Sequence, residues 1–297
     1  MTRVATPGED VRVAFVGAGP GEADLITVRG AARLQDADVV LFDSLADPAL
    51  RQLAPKACWI DVGKRGFSGV PHAPRGGHEN TGQDTINALL VKHAQSGARV
   101  VRLKGGDPSV FGRLEEELEA LAAAGIECEV VPGVTAALAA AAATQRPLTR
   151  RGAGRSVALT TAMTKAGELA AGRHADTESF YMAGKQLAAL SRRLVAAGWP
   201  AQTPALVVSR AGWPDQLASE HAIATLGDAT VLHSGRPTIV TVGVGAASVG
   251  ATPVEVANAD ALAPGTTSPP LASPAKLPMP AGPIICNTTN GNLSGFE

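Results

Sequence analysis

Apolar residues along this chain come in short clusters closed by glycine, proline or a charge, alternating with stretches in which they return every third or fourth position. Val11, Val13, Phe15 and Val16 run into Gly17-Ala18-Gly19-Pro20-Gly21. Val39, Val40, Leu41 and Phe42 end at Asp43, and Trp59, Ile60 and Val62 end at Gly63, Lys64 and Arg65. Ala98, Val100, Val101 and Leu103 lead into Gly105-Gly106-Asp107-Pro108, and Cys128, Val130 and Val131 lead into Pro132-Gly133-Val134-Thr135. Clusters of this length predict inner strands. Between them, helical spacing predicts a helix capped by Asp24 with Leu25, Val28, Ala31, Ala32 and Leu34 on its apolar stripe, and a second helix over residues 83–95. A third places Leu114, Leu118 and Leu121 on one face, with Glu115, Glu116, Glu117 and Glu119 as a solvated face, and an alanine helix runs to Ala143. Five strand and helix units in alternation predict an α/β fold built on a doubly wound parallel sheet.

Residues 147–155, rich in arginine and glycine, read as the connection to a second domain, with Arg146, Arg150, Arg151 and Arg155 around it. Beyond it, apolar strands are expected at 157–159, 180–182, 206–208 and 239–242, a helix at 186–197, and an antiparallel strand at 220–226. The expected organisation is a parallel-sheet domain over 11–146, a smaller mixed-sheet α/β domain over 147–250, a cleft between them, and a disordered tail over 263–297. Residues 66–82 carry glycine, proline and histidine without periodicity, which predicts a long loop, either functional or disordered.

Charge changes this picture little. There are 26 basic and 27 acidic residues, so no global field recruits nucleic acid or a membrane, and an anionic ligand must be met by local arginines. Aromatics make up 3%, too few for base-stacking platforms. No run reaches the ~18 apolar residues of a membrane span, and the first residues lack a basic region followed by an apolar core, so a cytoplasmic protein is expected. Cys58, Cys128 and Cys286 are too scattered for a disulfide framework or metal site, and His72 and His78 lack an acid or cysteine to complete a ligand set. No metal is expected.

In an open parallel sheet, ligands bind beyond the carboxyl ends of the strands. Asp43, the Lys64-Arg65 pair and Asp107 all fall there, and Gly105-Gly106 lets the backbone approach a ligand closely. A nicotinamide fingerprint would need glycine three positions beyond Gly19, where Glu22 stands, although the turn still suits a nucleoside. An ordinary turn at Gly-Gly-Asp-Pro and plain surface ion pairs remain the alternatives on these residues alone.

VGAGPG, LFDSL, VGKR, VVRLKGGDPSVFGR, VVPGVTAAL and RPLTRR, in this order and spacing, resemble the uroporphyrinogen-III C-methyltransferases of the tetrapyrrole methylase family. The resemblance covers residues 11–244. It implies transfer of two methyl groups from S-adenosyl-L-methionine to carbons of an octacarboxylate tetrapyrrole, leaving S-adenosyl-L-homocysteine and giving precorrin-2 for sirohaem or cobalamin. It also implies a homodimer. By position it puts the methyl donor against Pro20, Gly105, Gly106, Asp107, Val110, Thr135, Ala136, Met182 and Ala211, with Asp43 as proton acceptor and Lys64 as proton donor. Such a substrate needs cations for its carboxylates, and Arg65, Arg113, Arg150 and Arg151 are the candidates. The chain departs from the family pattern at Leu114-Glu115, at Arg150 where histidine is common, at Ala211 where glycine is usual, and in the length of loop 66–82. A same-fold methylase acting on another precorrin or a peptide, and a non-catalytic module binding the donor or a tetrapyrrole, remain open.

Overall fold

The computed structural model describes residues 11–63, 82–163 and 169–250. Lys64, Arg65, loop residues 66–81 and the tail at 263–297 lie outside the described residues.

Strands β1 (Val13–Gly17), β2 (Val39–Phe42), β3 (Cys58–Asp61), β4 (Val100–Lys104) and β5 (Cys128–Val131) form one sheet in the order β3-β2-β4-β1-β5. Every pairing in it is parallel. The order runs outward from the centre in both directions, so the helical connections fall on both faces, as the alternation predicts. On one face α1 (Val28–Gln35) and a 3-10 helix (Pro48–Leu53) set Leu34 and Leu50 against Ala14, Val16, Val40, Val101 and Leu103. On the other, α2 (Gln83–Gln95) and α3 (Leu114–Ala123) set Ile86, Leu90 and Leu121 against Val13, Phe15, Val39, Leu41 and Val100. Alternate residues of each strand serve alternate faces, and each fully buried leucine contributes about 1.5–3 kcal/mol relative to an exposed one.

The second sheet contains β6 (Val157–Thr161), β7 (Thr177–Tyr181), β8 (Pro204–Ser209), β9 (Leu217–Ala222) and β10 (Thr238–Gly243) in the order β6-β7-β10-β8-β9. β6 and β7 are parallel and the remaining pairs antiparallel, so this sheet is mixed. Helix α5 (Leu187–Ala196) buries Leu187, Leu190 and Leu194 against Phe180, Val207 and Val240. The alanine helix, α4 (Ala136–Ala143), packs Ala137 and Ala140 with Leu206, Val208 and Ile239. It thus follows β5 of the first sheet in the chain and packs on the second.

Three local expectations need correction. Asp24 caps nothing: Ala23–Leu25 is a 3-10 turn, and α1 begins at Val28 behind Thr27, whose Oγ1 accepts the Gly30 amide at 3.1 Å. A β-hydroxyl three residues before that amide wins the cap position, and Val28, 90% exposed, leaves the apolar stripe. The antiparallel strand expected at 220–226 lies earlier, at Leu217–Ala222. From Ile223 to Thr230 the chain is a 3-10 helix, because Ile223, Leu226 and Ala229 recur every three residues and all face the core. Finally, β7 stops at Tyr181, and Met182 follows it in the left-handed region with φ 60°.

Candidate active site

Aligned registers send the loops after β1, β4 and β5 out of one sheet edge together. Gly19 and Gly106 exchange backbone hydrogen bonds, Gly19 N to Gly106 O at 3.3 Å and Gly106 N to Gly19 O at 2.7 Å, while Ala18 N donates to Lys104 O at 2.8 Å. Gly133 closes the cluster. A Cβ there would stand 2.2 Å from Gly106 O, and one on Gly17 would stand 2.5 Å from Gly133 Cα, so only glycine permits these loops to touch. Asp107 locks them: Oδ2 accepts the Gly133 amide at 2.9 Å and Oδ1 accepts the Ser109 amide at 2.7 Å. The acid expected to meet a ligand therefore holds backbone first. Gly106 itself, at φ 70°, would carry a Cβ in ordinary van der Waals contact with Thr135 Cα and Val134 O at 3.9 Å, so its backbone conformation and not a lack of space favours glycine there.

The segment after β5 is in turn tied to the second sheet. The Tyr181 hydroxyl, at the end of β7, lies 2.7 Å from Thr135 Oγ1 and accepts the Ala137 amide at 3.3 Å, capping α4 from the sheet on which that helix packs. Burial pushes the Tyr181 phenol above its ordinary pKa, with the Thr135 and Ala137 hydrogen bonds opposing. Phe111 packs its ring 5.0 Å from that of Tyr181. Glu22 N donates to Gly212 O at 2.8 Å, and a Cβ on Gly21 would lie 2.0 Å from the same oxygen, joining the loops after β1 and β8. Phe111, Arg113, Met182 and Arg210, in the loops after β4, β7 and β8, all adopt positive φ. Strained non-glycine residues gather where structure is held for function. Tyr181→Phe should lower stability by about 1 kcal/mol through the lost α4 cap, read by denaturant unfolding.

Strand β4 turns polar towards this end. Residues of the same parity as Val100 face α2 and α3, and two of them are Arg102 and Lys104, both buried. Their counter-charge is Glu117, completely buried on α3: Oε1 is 2.9 Å from Arg102 Nε and Oε2 is 2.6 Å from Lys104 Nζ. Arg102 continues the chain, placing Nη2 2.7 Å from Asp43 Oδ1 and donating from Nη1 to Leu103 O at 3.1 Å. From α2, Gln83 Nε2 approaches Glu117 Oε1 at 3.4 Å. Burial works against the Arg102 charge, but Asp43 and Glu117 outweigh it and raise its pKa; burial and then Arg102 push the Lys104 ammonium down, with Glu117 opposing. The reading of the α3 glutamates as one solvated face is thus wrong for Glu117, which shares the inward stripe of Leu114 and Leu121.

The sequence-chosen residues divide accordingly. Asp43, Gly105, Gly106, Asp107, Thr135 and Ala136 lie around the first sheet's edge. Pro20 and Val110 are half-buried in loops after β1 and β4, Met182 is 43% exposed after β7, and Ala211 is buried against α4. Arg113 is exposed and paired with Glu116, and Arg151 is exposed. Arg150 donates its terminal nitrogens to the carbonyls of Ala247 and Ser248, and Arg146 donates to the Ala246 carbonyl and the Ser248 hydroxyl. Tyr181, Phe111, Arg102, Lys104 and Glu117 were not singled out from sequence. Among the described residues no cluster of three or more His, Cys, Asp or Glu side chains could hold a metal ion, and no helix is long and apolar enough to cross a membrane.

Residues 12–230 match the family model described as tetrapyrrole (corrin/porphyrin) methylases. The chain belongs to the tetrapyrrole methylase family. It is 43% identical over 205 residues to the uroporphyrinogen-III C-methyltransferase of Pseudomonas aeruginosa, covering 67% of this chain and 79% of that protein. Siroheme synthase 2 of Serratia proteamaculans is 41% identical over 244 residues, and the match spans 80% of this chain but half the length of that relative. Among solved methylases, uroporphyrin-III C-methyl transferase from Thermus thermophilus, complexed with S-adenyl homocysteine, superposes with TM-score 0.66 at 33% identity, covering 78% of this chain and 97% of that one. A cobalt precorrin-4 methyltransferase gives TM-score 0.67 at 28% identity, covering 80% and 96%. The α/β architecture with a parallel five-stranded sheet and a mixed second sheet is the tetrapyrrole methylase fold.

Proposed function

We propose that this tetrapyrrole methylase transfers two methyl groups from S-adenosyl-L-methionine to carbons of uroporphyrinogen III, giving precorrin-2 for sirohaem or cobalamin. The observation that carries the reading is the glycine junction of Gly19, Gly106 and Gly133, pinned by Asp107 beside Thr135, in a chain 43% identical to a uroporphyrinogen-III C-methyltransferase. The relatives named as siroheme synthases are about twice as long as the matched segment, so the proposal covers the methyl-transfer step.

The donor supplies an electrophilic methyl on a sulfonium centre. Residues able to hold it are the backbone at Gly105, Gly106 and Ala136, with Pro20, Val110, Thr135, Met182 and Ala211 as walls. Asp107 acts by fixing that backbone. Attack by a pyrrole carbon breaks the methyl–sulfur bond, forms a carbon–methyl bond and leaves a proton to be removed. Asp43 is suited to take it, because Arg102 engages Oδ1 and no partner among the described residues engages Oδ2. Lys64, which follows Gly63 in the chain, is proposed as proton donor. Arg65, Arg113 and Arg151 are proposed to meet substrate carboxylates; Arg150 leaves that set because its terminal nitrogens already serve Ala247 and Ser248. We further propose a cytoplasmic homodimer with domains at 11–146 and 147–250. Mixed anaerobically with uroporphyrinogen III, the protein should release two S-adenosylhomocysteine molecules per acceptor consumed. Release no greater than in an acceptor-free blank overturns the proposal.

A further inference from the structure

We infer that Glu117 is a positioning residue for methyl transfer, a buried carboxylate that sets the guanidinium of Arg102 and through it the orientation of Asp43. The inference rests on the reading of Asp43 as the proton acceptor. Three elements converge on this carboxylate. Strand β4 delivers Arg102 and Lys104 two residues apart on one face, α3 delivers Glu117 to that face, and α2 adds Gln83. Four charged groups are thereby linked by successive ion pairs: Lys104 to Glu117, Glu117 to Arg102, and Arg102 to Asp43. Lys104, Glu117 and Arg102 have side chains 0–4% exposed, whereas that of Asp43 is 28% exposed, so only the last member reaches solvent and substrate.

Buried ion pairs replaced by apolar residues are often neutral or stabilising, so stability alone gives no reason to build such a chain. Direction does. A guanidinium is a rigid planar fork, and with Nε held by Glu117 and Nη1 by the Leu103 carbonyl, Nη2 has one direction left to point. That direction meets Asp43 Oδ1, which turns the carboxylate plane and leaves Oδ2 for the substrate proton. Lys104 supplies the second positive charge that balances Glu117, so the four formal charges cancel: Arg102 and Lys104 positive, Asp43 and Glu117 negative.

The test is a double-mutant cycle on the full chain with uroporphyrinogen III and S-adenosylmethionine, reading single-turnover methyl transfer and donor affinity. Glu117→Gln keeps the shape and removes the charge, and should slow transfer about tenfold to a hundredfold with donor affinity unchanged. Glu117→Asp should recover part of the rate. In an Asp43→Asn background, Glu117→Gln should add little further loss. Losses that multiply in that background, or a parallel fall in donor affinity, overturn the positioning role. If Asp43→Asn alone transfers at the parent rate, the reading of Asp43 fails instead, and the loss caused by Glu117→Gln then belongs to some other route. Should Glu117→Gln not fold, the charge-balanced Glu117→Gln/Lys104→Met pair carries the same cycle, with the same two outcomes.

Discussion

Asp43→Asn is expected to slow single-turnover methyl transfer by on the order of a hundredfold or more while leaving donor affinity nearly unchanged. Asparagine fills the same volume after β2 and can still accept from Arg102, so the local structure has little reason to shift. It cannot take a proton. The change also leaves buried Arg102 short of counter-charge, so some loss of stability is expected in either case, but if Asp43 served only as that counter-ion, turnover per folded molecule would hold. Measuring rate, affinity and unfolding on one preparation separates these accounts.

Arg102→Met should have the largest effect on stability, about 3–5 kcal/mol, because breaking a buried pair leaves uncompensated charge behind. Two carboxylates, Asp43 and Glu117, would then face Lys104 alone. The pH dependence follows from Lys104. Its folded-state pKa lies below the ordinary lysine value, so between the two the unfolded chain holds a proton that the folded chain lacks, and this group's contribution to stability rises with pH across that interval. Arg102 is the second-largest cause of that depression, after burial. In Arg102→Met the alkaline rise should therefore flatten, as read by urea unfolding at a series of alkaline pH values. A small loss of stability with an unchanged alkaline slope would show that the four-residue chain is not coupled in this way.

Gly133→Ala tests the loop junction. Its Cβ would meet backbone, the Gly106 carbonyl oxygen, which cannot rotate aside as a side chain would. Overpacking of this kind costs about 1–3 kcal/mol, and the displaced strand ends should weaken S-adenosylhomocysteine binding in calorimetry. Normal affinity in a folded Gly133→Ala variant would place the donor elsewhere.

The first sheet was legible because its strands are nearly continuous apolar runs ending in glycine, and that pattern has few other solutions in a chain of alternating helices. Gly105-Gly106-Asp107 was legible as a special turn for the same reason. What Asp107 bonds to was not, since Gly133 lies 26 residues away and only the sheet order brings them together. Glu117 shows a different failure. Its place in the stripe Leu114, Glu117, Leu121 was available, as was the shared parity of Val100, Arg102 and Lys104, yet charge was taken to mean solvent. Two charged positions on one buried strand face call for an opposite charge on the helix packed against it. Tyr181 left no local signal at all, because the helix end its hydroxyl caps lies 44 residues away in the chain.

The most direct measurement offers methyl-labelled S-adenosylmethionine to the protein under anaerobic conditions with uroporphyrinogen III, a later precorrin and a peptide together, and counts label in each by mass spectrometry. The account predicts two labelled methyl groups on uroporphyrinogen III and none on the peptide. Uroporphyrinogen III recovered without label, while the protein binds the donor or methylates another acceptor, would contradict it.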